Sequence, residues 1–342
     1  MEEPKVLHHG DLWAVFVGVN EYDDPEWGDL PHCEKDAADV TSVFMDSARG
    51  GYPASNIRLL VSAAKRRADK PTRHNIMQAI KHLAEVVETV DNDDCVLFGF
   101  FGHGGEKDGV AYIFPTDGYK ANPEDTAIEL RWVQETLQNC KARFKILIFD
   151  TCRNDVSGRG AQTMSEAFAH ALELLGQSEG WAVLSSCKQG EVSHDYDEKQ
   201  HGAFTYHLLE GLNGAADADR DGLVTAYEAS RYASLHTKRW AFKNGVQQNP
   251  EWWSKVSRDI VLVRSGDGKE PPSGSDDDGD RRRDRWSKLR SITLRHRGEV
   301  AVSMWVDEAG MVSRHEGKLR IDEFVGKLCM RLPWQYRKGS AS

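Results

Sequence analysis

The sequence predicts an α/β fold: a mostly parallel central sheet with helices on both faces, followed by a small C-terminal α+β module. Two observations predict the sheet. Short apolar runs alternate with segments of helical periodicity, and several of those runs are apolar throughout, as strands buried on both faces are. A third, the almost wholly polar stretch 264–285, separates the body from the tail. Strands are expected at 13–19, 57–61, 95–101, 145–149, 181–185 and 260–263, the first five largely separated by helices. The helices are expected at 34–45, 73–90 with Thr72 as N-cap, 127–140, 165–175, 203–212 and 226–240. Residues 1–263 then form the main domain. The stretch 264–285, rich in Gly, Pro, Ser and charge, reads as a disordered linker. In the module 286–342, residues 291–294 and 300–306 alternate like strands and 321–332 looks helical. A module this small is marginal alone.

The chain has 342 residues, 39% of them hydrophobic, and a formal net charge of -10. This acidity argues against nucleic acid as a partner, because phosphate binding needs a concentrated basic surface. The charge is uneven: about -14 in 1–263, about -1 in 264–285 and about +5 in 286–342. The six cysteines, Cys33, Cys95, Cys140, Cys152, Cys187 and Cys329, show no CxxC spacing, so neither a zinc cage nor a disulfide framework is expected. With no signal-type apolar core and no run near the ~20 apolar residues that span a bilayer, a cytoplasmic, non-membrane protein is expected.

The chemistry is expected at two strand ends. Cys152 follows the run 145–149 and His103 follows 95–101. In an open parallel sheet, ligands bind in the crevice at the strands' carboxyl ends. A thiol and an imidazole there are the minimum for nucleophilic hydrolysis of a peptide bond: His103 accepts the thiol proton and later donates to the leaving amine. Gly102, Gly104 and Gly105 let a bound peptide approach closely, and the amides of Gly104 and Cys152 are candidates to hold the developing oxyanion. No third acid to orient His103 is evident. Alone, either residue would read as a core thiol or a loop histidine; their shared context at core strand ends favours the dyad.

The order of Phe100-Phe101-Gly102-His103-Gly104 and Ile148-Phe149-Asp150-Thr151-Cys152 resembles the caspase-like cysteine peptidases, particularly the bacterial and metacaspase-like branch. Supporting segments lie at 14–22, 30–40, 183–187, 202–206 and 248–250, so the resemblance covers about residues 10–263. It implies a caspase-like fold, His103 and Cys152 as the dyad, protein or peptide substrates bound across the sheet edge, and a processing loop after the nucleophile. It is also consistent with a role in bacterial defence. The nucleophile lies in Asp-Thr-Cys-Arg-Asn rather than the caspase Gln-Ala-Cys signature, which argues against aspartate specificity. In the metacaspase-like branch two acids floor the P1 pocket, and those motifs fall on Asp36 and Asp150. Two carboxylates facing one pocket favour a cation, so cleavage after Arg, with Lys second, is expected. Arg153 and Arg159 in the segment 153–163, and Arg281–Arg285 in the linker, are candidate cleavage sites for a zymogen. The basic tail is expected to plug the acidic cleft or to engage an upstream activating protease or regulator.

A second motif lies at 217–228. Asp217, Asp219, Asp221, Gly222, Val224 and Glu228 match positions 1, 3, 5, 6, 8 and 12 of an EF-hand loop. Calcium is therefore the expected cofactor, held by Asp217, Asp219, Asp221, the Leu223 carbonyl, Thr225 and Glu228; no organic cofactor is expected. A different kind of function remains open: a calcium-dependent interaction module on a caspase-like scaffold with little intrinsic activity.

Overall fold

The computed structural model describes residues 11–86, 94–151 and 164–266, and the backbone of strands at 290–296, 299–306 and 312–317. Cys152, Arg153, Arg159, most of the expected linker with Arg281–Arg285, and the expected helix 321–332 lie outside the described residues.

From the first described residues the order is β1 (Leu12–Gly18), α1 (Cys33–Met45), β2 (Ile57–Val61), α2 (Arg73–Glu85) and β3 (Cys95–Phe101). A small antiparallel excursion follows, of β4 (Gly104–Lys107), β5 (Val110–Ile113), the single turn α3 (Pro123–Thr126) and β6 (Ile128–Glu129). Then come α4 (Leu130–Gln138), β7 (Phe144–Asp150), α5 (Glu166–Gly176), β8 (Trp181–Ser185), β9 (Asp195–Tyr196), β10 (His201–Gly202) and α6 (Ala203–Glu210). β11 (Leu223–Thr225), α7 (Ala226–Lys243), β12 (Glu251–Ser254) and β13 (Val261–Arg264) complete this part. The chain divides into two compact units, 1–271 and 272–342. In the second, β14 (Arg290–His296), β15 (Glu299–Val306) and β16 (Val312–Gly317) form an antiparallel sheet in that order.

The central sheet has the order β12-β8-β7-β3-β1-β2, parallel except for β12. The period of two in a strand sends alternate residues to opposite faces, and here both faces are buried. Val15 and Val17 of β1, Phe98 and Phe100 of β3, and Leu147 and Phe149 of β7 pack under α2, α4 and α5. Ala14, Phe16, Leu97, Phe101, Ile146 and Ile148 pack under α1, α6 and α7. That two-sided burial explains why these runs are apolar throughout. It also decides where the first polar residue goes: Asp150, next after Phe149, turns to the face covered by α1 and α6.

Three expectations about elements are corrected. The run 260–263 does not join the central sheet; β13 pairs with β11, and β12 takes the edge instead. The expected helix 127–140 is interrupted, because Ala127 is extended (φ -100°, ψ -178°) and Ile128 pairs with Ile113 before α4 begins. The expected helix 203–212 ends as α6 at Glu210 and continues as a wider turn, 211–215, closed by Gly214 at φ +107°. Thr72 caps α2 as expected, its hydroxyl accepting from Asn75 N–H. Among the described residues, no helix is long and apolar enough to cross a membrane.

Gly18 is where α1 meets the sheet. A Cβ there would stand 2.5 Å from the Cys33 carbonyl oxygen and 2.7 Å from Glu34 Cα, both backbone atoms. Gly18→Ala should therefore push α1 off β1 and lower the unfolding free energy by ~1–3 kcal/mol in a denaturant titration. An unchanged midpoint would mean that the helix start yields freely.

Candidate active site

The parallel ladder brings the two loops level. β3 and β7 pair in register up to Phe101 opposite Asp150, and the next amide, Gly102 N–H, donates to the Asp150 carbonyl at 3.2 Å. His103 and Cys152 each follow two residues beyond that last pair. Position 152 is outside the described residues, but Thr151 is within them, fully buried, its carbonyl accepting from Ser186 Oγ at 3.3 Å. Gly104 packs against this segment: a Cβ on it would lie 3.1 Å from Thr151 Cβ and 2.9 Å from the Phe168 ring. The histidine loop and the approach to residue 152 thus pack closely where position 104 has no side chain.

His103 is 1% exposed. Its Nε2–H donates to the Gly28 carbonyl at 2.8 Å, and its backbone N–H donates to Tyr22 Oη at 2.8 Å. Its carbonyl accepts from Phe114 N–H at 3.0 Å. The Trp27 indole stacks on the imidazole (centroids 4.3 Å, planes 20° apart) and the Tyr22 ring tilts against it at 4.8 Å. The Gly28 carbonyl accepts only a protonated Nε2, so it assigns the neutral tautomer with Nδ1 as the basic nitrogen. A backbone carbonyl therefore takes the orienting role for which the sequence offered no acid.

Both candidate pocket acids are wholly buried. Asp150 Oδ1 accepts from Ser193 Oγ at 2.8 Å and Oδ2 from Thr205 Oγ1 at 2.5 Å. Gln248, itself buried, donates to Ser193 Oγ at 3.1 Å and fixes that hydroxyl. Asp36 accepts from His201 Nδ1 at 2.6 Å and from Gly202 N–H, shared between its oxygens at 3.3 and 3.2 Å. Both acids thus grip the five-residue span 201–205, where α6 begins. This brings the α1 acid and the β7 acid to one corner of the sheet. No role was expected of Gly28, Tyr22, Trp27, Ser193, His201, Thr205 or Gln248. Several lie in or beside the segments that carried the resemblance, which was the available signal.

A caspase domain matches residues 11–261. The chain belongs to the caspase-domain family of peptidases. Metacaspase-1 of Pyricularia oryzae is 28% identical over 156 residues, 42% of this chain and 37% of that protein. Metacaspase-1A of Aspergillus oryzae is 28% identical over 97 residues, 28% of this chain and 22% of that protein. The matches thus span well under half of either relative. The solved structure of pro-sf-caspase-1 superposes with a TM-score of 0.52 at 13% identity, over 75% of this chain and 91% of that one, a likeness of fold. The expected caspase-like α/β architecture is the one observed.

The segment 217–228 lies apart from this crevice in sequence. The carboxylates of Asp217, Asp219 and Asp221 come within 4.8 Å of one another. Asp217 accepts from Asp221 N–H and Gly222 N–H, with Gly222 at φ +87°. This hard-oxygen set fits a divalent cation such as calcium. Glu228 stands outside the triad: its carboxylate accepts from Ala218 N–H, Thr225 N–H and Thr225 Oγ1, completing a capping box at the start of α7. Leu223, expected to offer its carbonyl, lies in β11 opposite Arg264.

The cage around the imidazole carries a test. Tyr22→Phe keeps the ring but removes the acceptor for the buried His103 N–H. Peptide hydrolysis by this variant should lose ~10-fold in kcat with KM little changed, because the base is displaced while recognition is not. Loss confined to KM would count against that role.

Proposed function

We propose that this chain is a cysteine endopeptidase that cleaves polypeptides after basic residues, Arg over Lys. The reading rests above all on the β3–β7 register, which ends both strands level, with His103 two residues past β3 and Cys152 two residues past β7 in the sequence. Cys152 Sγ gives its proton to His103 Nδ1 and attacks the scissile carbonyl carbon. The oxyanion so formed is held by the amides of Gly104 and Cys152. The imidazolium then donates its proton to the leaving amine as the C–N bond breaks, leaving a thioester. Water, deprotonated by His103, hydrolyses the thioester and restores the thiol. Asp36 and Asp150 recognise the P1 cation. Cleavage at Arg153 or Arg159, next to the nucleophile, is the proposed activation step, by this enzyme or by an upstream protease. The basic C-terminal module is the proposed contact for a regulator.

Initial rates on matched fluorogenic peptides ending in Arg, Lys, Asp or Ala test this reading. Arg should be turned over fastest, and Cys152→Ala should abolish turnover by ~10³-fold or more. Asp150→Asn and Asp36→Asn should each cut the Arg-over-Ala preference by ~10-fold or more, the loss of a charge-assisted contact. Turnover that survives in Cys152→Ala would refute the assignment.

We further propose that Asp217, Asp219, Asp221, the Leu223 carbonyl, Thr225 and Glu228 hold calcium, whose double charge would offset the repulsion among the three aspartates. Calcium should raise the melting temperature of the wild type, and Glu228→Gln should lose most of that rise. Equal melting temperatures in calcium and in chelator would dismiss the site.

A further inference from the structure

Asp36 shares its corner with a titratable partner. The His201 side chain is 9% exposed, and its Nδ1–H donates to Asp36 at 2.6 Å. The other nitrogen, Nε2, meets two groups of opposite charge one helical turn apart on α1. Lys35 Nζ lies 2.7 Å from it and Asp39 Oδ2 3.3 Å, and these two pair with each other at 2.5 Å. Each protonation state of the ring therefore has a partner in place. The neutral ring accepts from the Lys35 ammonium; the charged ring donates Nε2–H to the Asp39 carboxylate. The Nδ1–H bond to Asp36 survives in both, so protonation changes the charge beside Asp36 without releasing it.

We propose that His201 is a specificity-setting residue of the P1 pocket: the proton on Nε2 decides how much of the Asp36 charge is left for a cationic substrate side chain. The proposal rests on the P1 reading given above. The other titratable groups near the ring belong to α6, β9 and the turn that follows β9. Tyr206 of α6 lies 6.3 Å away, its phenol pushed up to about 12 by burial and by Glu210, so it stays neutral. Lys199 sits over the Tyr206 ring. Tyr196 of β9 is the ladder partner of His201, and Asp197 is turned to His32. The sign follows directly. Protonation of Nε2 puts a positive charge beside Asp36, so discrimination in favour of Arg weakens as the pH falls.

The test compares kcat/KM for two peptides that differ only at P1, Arg against citrulline, its neutral isostere, across ~pH 5.5–8.5 with the full chain. The ratio cancels the titration of His103 and Cys152. In the wild type it should fall on the order of tenfold toward acid, and in His201→Gln it should be flat. Asp39→Asn, which removes the partner of the charged ring, should move the fall to lower pH. Lys35→Met, which removes the donor to the neutral ring and a nearby positive charge, should move it to higher pH. Both side chains are 43% exposed, so these two variants give the answer even where His201→Gln fails to fold. A pH-independent Arg preference, a fall that persists unchanged in His201→Gln, or midpoints that ignore positions 35 and 39 would overturn the role of His201 and leave the P1 reading standing. No preference for Arg over citrulline at any pH would remove the P1 reading, and this proposal with it.

Discussion

The buried carboxylate of Asp150 is the constraint around which the site is arranged. A charge taken out of water costs several kcal/mol unless donors replace the lost solvent, and at the end of β7 two hydroxyls, Ser193 and Thr205, are the described donors. Its main-chain carbonyl meanwhile holds Gly102, one residue before His103. One residue thus ties the histidine loop by its backbone and α6 by its side chain. Losing either hydroxyl would strand part of a buried charge, so the strand end, α6 and the 186–194 loop are held together by electrostatics that apolar packing alone does not provide.

The same electrostatics sharpen the reading of the pocket. Two acids read from sequence as a bare negative pair are each already compensated within the chain: Asp150 by hydroxyls, Asp36 by an imidazole and by an amide at the start of α6, where the helix dipole also favours negative charge. What they would offer a cationic substrate is the remainder. Hydroxyl donors stabilise a carboxylate but leave it charged, whereas an imidazole stabilises it and, once protonated, cancels it. In the proposed pocket Asp150 would then be the fixed acid and Asp36, on the α1 side, the adjustable one.

Much of this was legible in the sequence. β1, β3, β7 and β8 were readable because both faces of the sheet are covered there, so that each is a nearly unbroken apolar run, and β2, an edge strand carrying Arg58, was readable from its other, aliphatic residues. His103, Asp36 and Asp150 were readable because their motifs carry them. The β4–β6 excursion was not: Gly104-Gly105-Glu106-Lys107 has neither β-branched residues nor alternation, and its place is set by tertiary contacts such as Gly104 on Phe168 and Gly105 on Phe114. Nor was the orienter of His103, since a backbone carbonyl has no signature in a side-chain alphabet. β12 went unread because Glu251-Trp252-Trp253-Ser254 is short and half-exposed, an edge strand whose pairing with β8 is long-range. The pairing of β13 with β11 was hidden for the same reason: the run 260–263 shows that a strand exists, but not which edge it joins.

One segment carries both halves of the machinery. Between β1 and the first turn of α1, residues 19–36 supply Tyr22, Trp27 and Gly28 to the imidazole and Asp36 to the proposed P1 pocket. The segment is closed on itself by Leu30 N–H to the Asn20 carbonyl and by Glu34 N–H to Asn20 Oδ1, and it is pinned to the 114–118 turn by Asp23 N–H to the Thr116 carbonyl. A displacement of this loop would reach both the tautomer-fixing carbonyl and Asp36, because they share its backbone. The two proposed roles, base orientation and P1 recognition, are in this way joined by covalent continuity, and Asn20 closes the loop that joins them through its carbonyl and its Oδ1.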